Sequence, residues 1–174
     1  MARAFRGIRW ASPAGGPGLT EGTSRAGTIL QDGRRKAYRP LTPDRRRAAL
    51  EAGLAAYERG NFFEAHELLE PAWMGASDLA ERSLYQGLIK LAAGYVHAVR
   101  GNPIGMTRNL HGARKYLETS LQVDPEHSIK AGIDLASLIV EIDARLDAVM
   151  TLPSVVNTIP AAMLALADTP PPIR

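Results

Sequence analysis

His66 and Glu70 stand four residues apart, and Trp73 follows three residues later, in the stretch Asn61-Phe62-Phe63-Glu64-Ala65-His66-Glu67-Leu68-Leu69-Glu70-Pro71-Ala72-Trp73. On a helix, positions four and seven apart share a face, so this spacing aligns an imidazole, a carboxylate and an indole on one stripe. One helix face then offers a nitrogen and an oxygen donor to a single divalent ion, as helical metal sites do. The neighbours Phe62, Phe63, Leu68 and Leu69 are apolar and require much of this helix to be buried. Buried polar groups need partners, because each one left unpaired costs about 1–3 kcal/mol.

A two-residue set is incomplete for a metal. Glu67 lies about one residue off the stripe, and Gln86, Lys90 and His97 form a second polar stripe on a later, mostly apolar helix. Gln86 and His97 share an azimuth but sit roughly 16 Å apart along a helix axis, so only one of them can join the same ion. Lys90, between them, is expected to pair with Glu67 or Glu70 and to compete with a metal. Two uses of these residues therefore remain open: a divalent metal site, with zinc or a similar ion on His66, Glu70 and His97, and a hydrogen-bonded network that fixes helix register. Trp73 closes the stripe as a core aromatic. His111 and His127 read as surface residues. Nucleophile-elbow, phosphate-loop, dinucleotide-loop and His-Glu-x-x-His patterns are absent.

The elements that must position these residues are helices. Thr42-Pro43 starts the first, with threonine as cap and proline at the first helical position, and Gly60 ends it near Arg59. Asn61 is expected to cap the second through its side chain. Pro71 is expected to stop or kink that helix near Glu70, leaving Trp73 just past the regular turn. A third helix, from about Asp78 to Arg100, is apolar nearly all round and so central. Asn102-Pro103 starts a fourth that runs to about Leu121. A fifth is expected to start at Asp124-Pro125-Glu126 and to continue through Ile129, Ile133, Ile139 and Leu146. No strand is expected anywhere. Arg59-Gly60-Asn61 recurs as Arg100-Gly101-Asn102 at the second helical joint, which suggests either two tetratricopeptide-like hairpins or the common chemistry of any tight joint.

Composition narrows the classes further. The chain has 174 residues, 45% of them hydrophobic, and no cysteine, so disulfides and thiolate metal sites are excluded. The apolar run Leu91–Val99 is bracketed by Lys90 and Arg100 and is too short to span a bilayer. No secretory signal is apparent, and a cytoplasmic location is expected. Residues 1–40 hold eight basic and two acidic residues, a net +6 against +3 for the whole chain, so the excess charge belongs to this segment alone. Rich in Gly, Arg and Pro, it reads as an extended or disordered tail. Nucleic acid is not expected as a partner except through this tail.

Three segments resemble a known family. Phe63 to Trp73 is similar to the His-x-x-x-Glu-x-x-Trp signature of the domain-of-unknown-function family 309, small bacterial and archaeal helical proteins. Leu84-Tyr85-Gln86-Gly87-Leu88-Ile89 and His97-Ala98-Val99-Arg100-Gly101-Asn102 resemble its other two recurrent segments, so the likeness covers about residues 45–121. The resemblance implies metal binding through His66 and Glu70 and supplies no activity. Pro71 inside the signature, and Lys90 where a neutral residue is expected, depart from the pattern.

The sequence thus predicts an all-α fold, a compact antiparallel bundle of about five helices over residues 42–150. Flexible tails are expected at 1–41 and at 151–174, the latter with a short helix at Ala161–Ala167. A polar pocket of His66, Glu67, Glu70, Trp73, Gln86, Lys90 and His97 is expected between the second and third helices, holding a divalent metal for hydrolytic chemistry. The alternative is a non-catalytic interaction module that presents a groove to a small molecule or protein partner.

Overall fold

The structure, a computed structural model, describes residues 28–31, 34–37, 40–126, 131–152 and 159–173. The domain it describes is all-helical. Helix α1 spans Pro43–Glu58, α2 Phe62–Gly75, α3 Leu79–Val99, α4 Pro103–Val123, α5 Leu135–Met150 and α6 Ile159–Ala167. Helices α1 to α4 follow one another through short joints and pack sequentially, with α5 against α4 and α6 against α3. The centre is α3, whose Leu84, Leu88, Leu91 and Tyr95 are each no more than 1% exposed.

Local chemistry fixes most helix ends. The Thr42 hydroxyl accepts from the Arg45 amide at 3.4 Å, and an Asp78 carboxylate oxygen accepts from the Glu81 amide at 2.8 Å. Both Arg-Gly-Asn joints close in the same way. Gly60 and Gly101 adopt φ of +77° and +64°, which glycine tolerates without a Cβ penalty. The Gly60 and Gly101 amides donate to Tyr57 and Ala98 carbonyls, and the Asn61 and Asn102 amides to Ala56 and His97 carbonyls, all at 2.9 Å. This paired closure saturates the last carbonyls of α1 and α3. The recurrence of the tripeptide is thus accounted for by joint chemistry. The two asparagines then differ: Asn102 caps the Gly105 amide at 2.9 Å, whereas Asn61 makes no side-chain cap and its amide donates to Glu64 at 3.3 Å.

The side-chain cap expected of Asn61 does not form, and four further expectations need correction. Pro71 does not end α2, which continues to Gly75 with Trp73 inside it and 1% exposed. The proline forfeits one amide bond, and burial of Ala72 and Trp73 on the core side outweighs that loss. The expected fifth helix is not continuous. Gly132 at φ +71° breaks it, and α5 restarts at Asp134, which accepts from the Ser137 amide at 3.1 Å and hydroxyl at 2.7 Å. The C-terminal stretch is not simply a tail, since Met163, Ala167 and Ile173 are buried in the common core. Finally, β1 (Thr28–Gln31) and β2 (Arg34–Ala37) form an antiparallel hairpin outside the helical domain, with Gln31 opposite Arg34 and Thr28 opposite Ala37. Asp32-Gly33 between two short runs is the sequence signal for such a hairpin, and its two-residue spacing matches the tightest loops.

Candidate functional site

Helix α2 presents the stripe foreseen from its spacing. The phenylalanine at position 62 and Leu69 turn inward, and Gly53 of α1 lets α2 approach closely: a Cβ built there would lie 2.6 Å from Leu69 Cγ. That approach pins the rotation of α2 and leaves His66 and Glu70 half-buried at the margin of its buried face, with Glu67 exposed beside them. One ligand atom from each of His66, Glu67 and Glu70 lies within 4.8 Å of the other two. His66 Nδ1 is 3.1 Å from Glu67 Oε1, with side-chain exposures of 16% and 50%. Among the described residues this is the one group of three or more His, Asp and Glu side chains so arranged. Glu67, placed off the stripe by the helical wheel, joins it because a glutamate side chain is long enough to lean toward the preceding residue.

Trp73, one turn beyond Glu70, is buried, and the Arg82 guanidinium carbon of α3 lies 5.6 Å from the centroid of its ring. This cation–π contact ties the end of α2 to the start of α3. Burial lowers the pKa of Arg82 from its ordinary value, with the Tyr116 hydroxyl opposing the shift.

The second polar stripe goes elsewhere. His97 lies at the α3–α4 joint, where its Nδ1 is 3.1 Å from the Asn102 amide nitrogen and its ring covers Gly105 so closely that a Cβ there would collide with it. Burial, and then the nearby Arg100 charge, lower its pKa from the usual histidine value. Lys90 runs its aliphatic stem over Gly112 of α4, where a Cβ would meet Lys90 Cδ at 3.3 Å. Gln86 is buried on the same helix at 6% exposure. His97 is therefore not a member of the His66 group, and Lys90 is not drawn to α2 in the expected way.

Glycine spacing explains the switch. On α4, Gly105 and Gly112 are seven residues apart, as are Lys90 and His97 on α3. In an antiparallel pair, bare backbone at that spacing opens two slots at the height of the two polar side chains. The complementary pair is on α3, where Gly87 and Gly94 receive Leu117 and Leu110 of α4. The Ser120 hydroxyl, buried farther along the same seam, donates to the Ala80 carbonyl at 2.8 Å. The heptad spacing of these four glycines was the available signal for this pairing.

A polar network that sequence reasoning missed joins α1 to α3. Arg46 Nε donates to Glu81 Oε1 at 2.7 Å, and the Tyr85 hydroxyl donates to the same oxygen at 3.4 Å. Arg46 also donates to the Leu41 carbonyl, fixing the chain entering α1. Burial and the adjacent Glu81 charge raise the Tyr85 pKa, so this phenol acts as a donor at any ordinary pH. Thirty-five residues separate Arg46 from Glu81, and no local pattern links them. His111 is exposed on α4, as expected, and His127 lies outside the described residues.

An all-helical domain whose second helix carries a His-Glu-Glu group on its exposed margin is the class that fold and site define. Residues 50–109 match the model of a family described as a domain of unknown function, DUF309. The matched range runs from within α1 to within α4 and contains the whole of α2 and α3. No curated protein and no solved structure matches the chain. Among the described residues, no helix is long and apolar enough to cross a membrane.

Proposed function

We propose that His66, Glu67 and Glu70 hold a divalent metal ion and that the domain uses it for hydrolytic chemistry on a small molecule. The observation that carries this reading is the convergence of three donor atoms within 4.8 Å on one exposed helix margin. The donor set fits such an ion: one imidazole nitrogen and two carboxylates, without thiolate, suit zinc, manganese or iron in the divalent state. When bound, the ion supplies Lewis acidity for attack on a carbonyl or phosphoryl group. The chain's own residues would do the rest. His66 and Glu70 are held by the rotation of α2 against Gly53, and Glu67, the third ligand, stands at the solvent side.

Thermal unfolding of untagged protein with and without added zinc or manganese tests the proposal. A metal at 100 times its Kd stabilises by about 2.7 kcal/mol, a melting shift of several degrees for a chain of this size. We expect the shift in wild type and its loss in His66→Ala and Glu70→Gln. Wild-type protein that shows no shift with either ion at millimolar concentration would remove the metal reading.

A second reading rests on the opposite end of α2. Phe63 and Val99 are 52% and 51% exposed, and with Val96 and Arg100 they line a cleft of about 500 Å³ where the two Arg-Gly-Asn joints meet. Such a surface suits a helical interaction module that grips a partner without catalysis.

A further inference from the structure

The start of the chain concentrates charge in a way that the helical domain does not use. Residues 34–47 hold seven basic residues, Arg34, Arg35, Lys36, Arg39, Arg45, Arg46 and Arg47, and one acidic residue, Asp44. Three of these form most of β2, and three stand at the third to fifth positions of α1, in and just past its first turn. The positive end of a helix dipole disfavours cations, so an Arg-Arg-Arg run there works against the helix. Arg46 has a structural use, its bond to Glu81, whereas Arg45 and Arg47 are exposed. Of the nearby acidic groups, Glu81 is engaged by Arg46, and Asp44 and Glu51 leave the balance strongly positive.

The backbone gives this charge a shape. The β1–β2 register pairs Gln31 with Arg34, Leu30 with Arg35 and Ile29 with Lys36, so the three basic residues follow one another along β2 opposite a strand that carries no charge. Four-residue strands make a ribbon about 13 Å long. An isolated two-stranded hairpin is marginal in water and gains from a partner. Residues 38–42 join Ala37 to Pro43, so the ribbon's end stays within about 20 Å of the first turn of α1.

We propose that the β1–β2 ribbon and the start of α1 form a binding surface for double-stranded nucleic acid, with Arg34, Arg35, Lys36, Arg45 and Arg47 as the contacting residues. Complementary charge carries the proposal, and two features select a duplex among polyanions. A major groove about 12 Å wide admits a two-stranded ribbon. Four of the five residues are arginine, whose planar fork pairs with phosphate or guanine through two bonds at once.

Fluorescence anisotropy of the full chain with a labelled 20-base-pair duplex DNA, at 50 and 200 mM salt, tests this. Five phosphate contacts give a slope of about −4.5 in log K against log salt, a weakening of about 500-fold between the two conditions. R34Q/R35Q/K36Q should retain a slope near −2, about a tenfold weakening, and should bind more weakly than wild type at 50 mM. Circular dichroism should find its helices intact, because among the described residues the ribbon packs on no helix to any substantial extent. Lys115→Gln, an exposed cation on α4, should bind as wild type does. Failure of wild type to bind at 50 mM salt overturns the proposal, as does a triple variant with an unchanged slope. Capture by phosphatidylserine vesicles without duplex binding overturns it in favour of a lipid surface.

Discussion

Alanine in place of Gly87 tests the account of the α3–α4 seam, and alanine in place of Gly112 is its internal control. Both glycines lie within helices, where alanine is worth about 1 kcal/mol through propensity alone. The two sites differ in what the new methyl meets. At Gly87 it would lie 2.5 Å from Leu117 Cδ2, 2.6 Å from Cγ and 3.2 Å from the Leu117 backbone nitrogen, so α4 itself must move. Overpacking of that kind costs about 1–3 kcal/mol. Because three atoms are involved, one of them backbone, the upper half of that range applies, and the net expectation is a loss of about 1–2 kcal/mol. At Gly112 the methyl would meet Lys90 carbons at 3.3, 3.6 and 3.7 Å, all in a flexible stem. The stem can swing aside, so propensity prevails and the variant should gain up to about 1 kcal/mol. Urea unfolding followed by circular dichroism measures both, and each kcal/mol corresponds to about 2–4 °C in melting temperature for a chain of this size. Gly87→Ala as stable as wild type would refute the close approach of α3 and α4. A destabilised Gly112→Ala would refute the placement of Lys90 along α4.

Three further expectations follow from particular contacts. Glu81→Ala removes the carboxylate partner of Arg46, which keeps its bond to the Leu41 carbonyl, and should cost about 1–3 kcal/mol, with an Arg46/Glu81 double-mutant cycle that reports clear coupling; coupling near zero would place the pair apart. Burial holds the His97 pKa below its ordinary value of 6.5, so the unfolded chain takes up a proton that the native joint resists. Stability should therefore fall as pH drops below about 6.5, and His97→Gln should flatten that part of the profile; a wild-type profile flat between pH 7.5 and 5 counts against this. Deletion of residues 1–39 should leave the helical signal and melting temperature nearly unchanged, because among the described residues the hairpin packs on no helix substantially; a large loss would make that segment part of the core.

The sequence determined the helix ends where a few neighbouring residues decide them. Thr42-Pro43, Asp78 and the two Gly-Asn joints act through φ, ψ and capping bonds within four or five residues, so their effect is visible in the order of letters. The His66–Glu70 alignment was legible for the same reason, since helical periodicity alone sets it. Where a local signal competed with burial it misled. Pro71 costs one hydrogen bond, and the packing of Ala72 and Trp73 decided whether α2 continued.

Only the tertiary structure decided which neighbour each polar face meets. Lys90 and His97 share a stripe whichever helix lies opposite, and periodicity contains no term for the partner. The slots at Gly105 and Gly112 gave that stripe to α4, leaving His66, Glu67 and Glu70 as a group of their own on α2. The Arg46–Glu81 bond likewise exists because α1 and α3 come together, and contact between residues far apart in sequence is set by the packing of whole elements, which no short window of sequence contains.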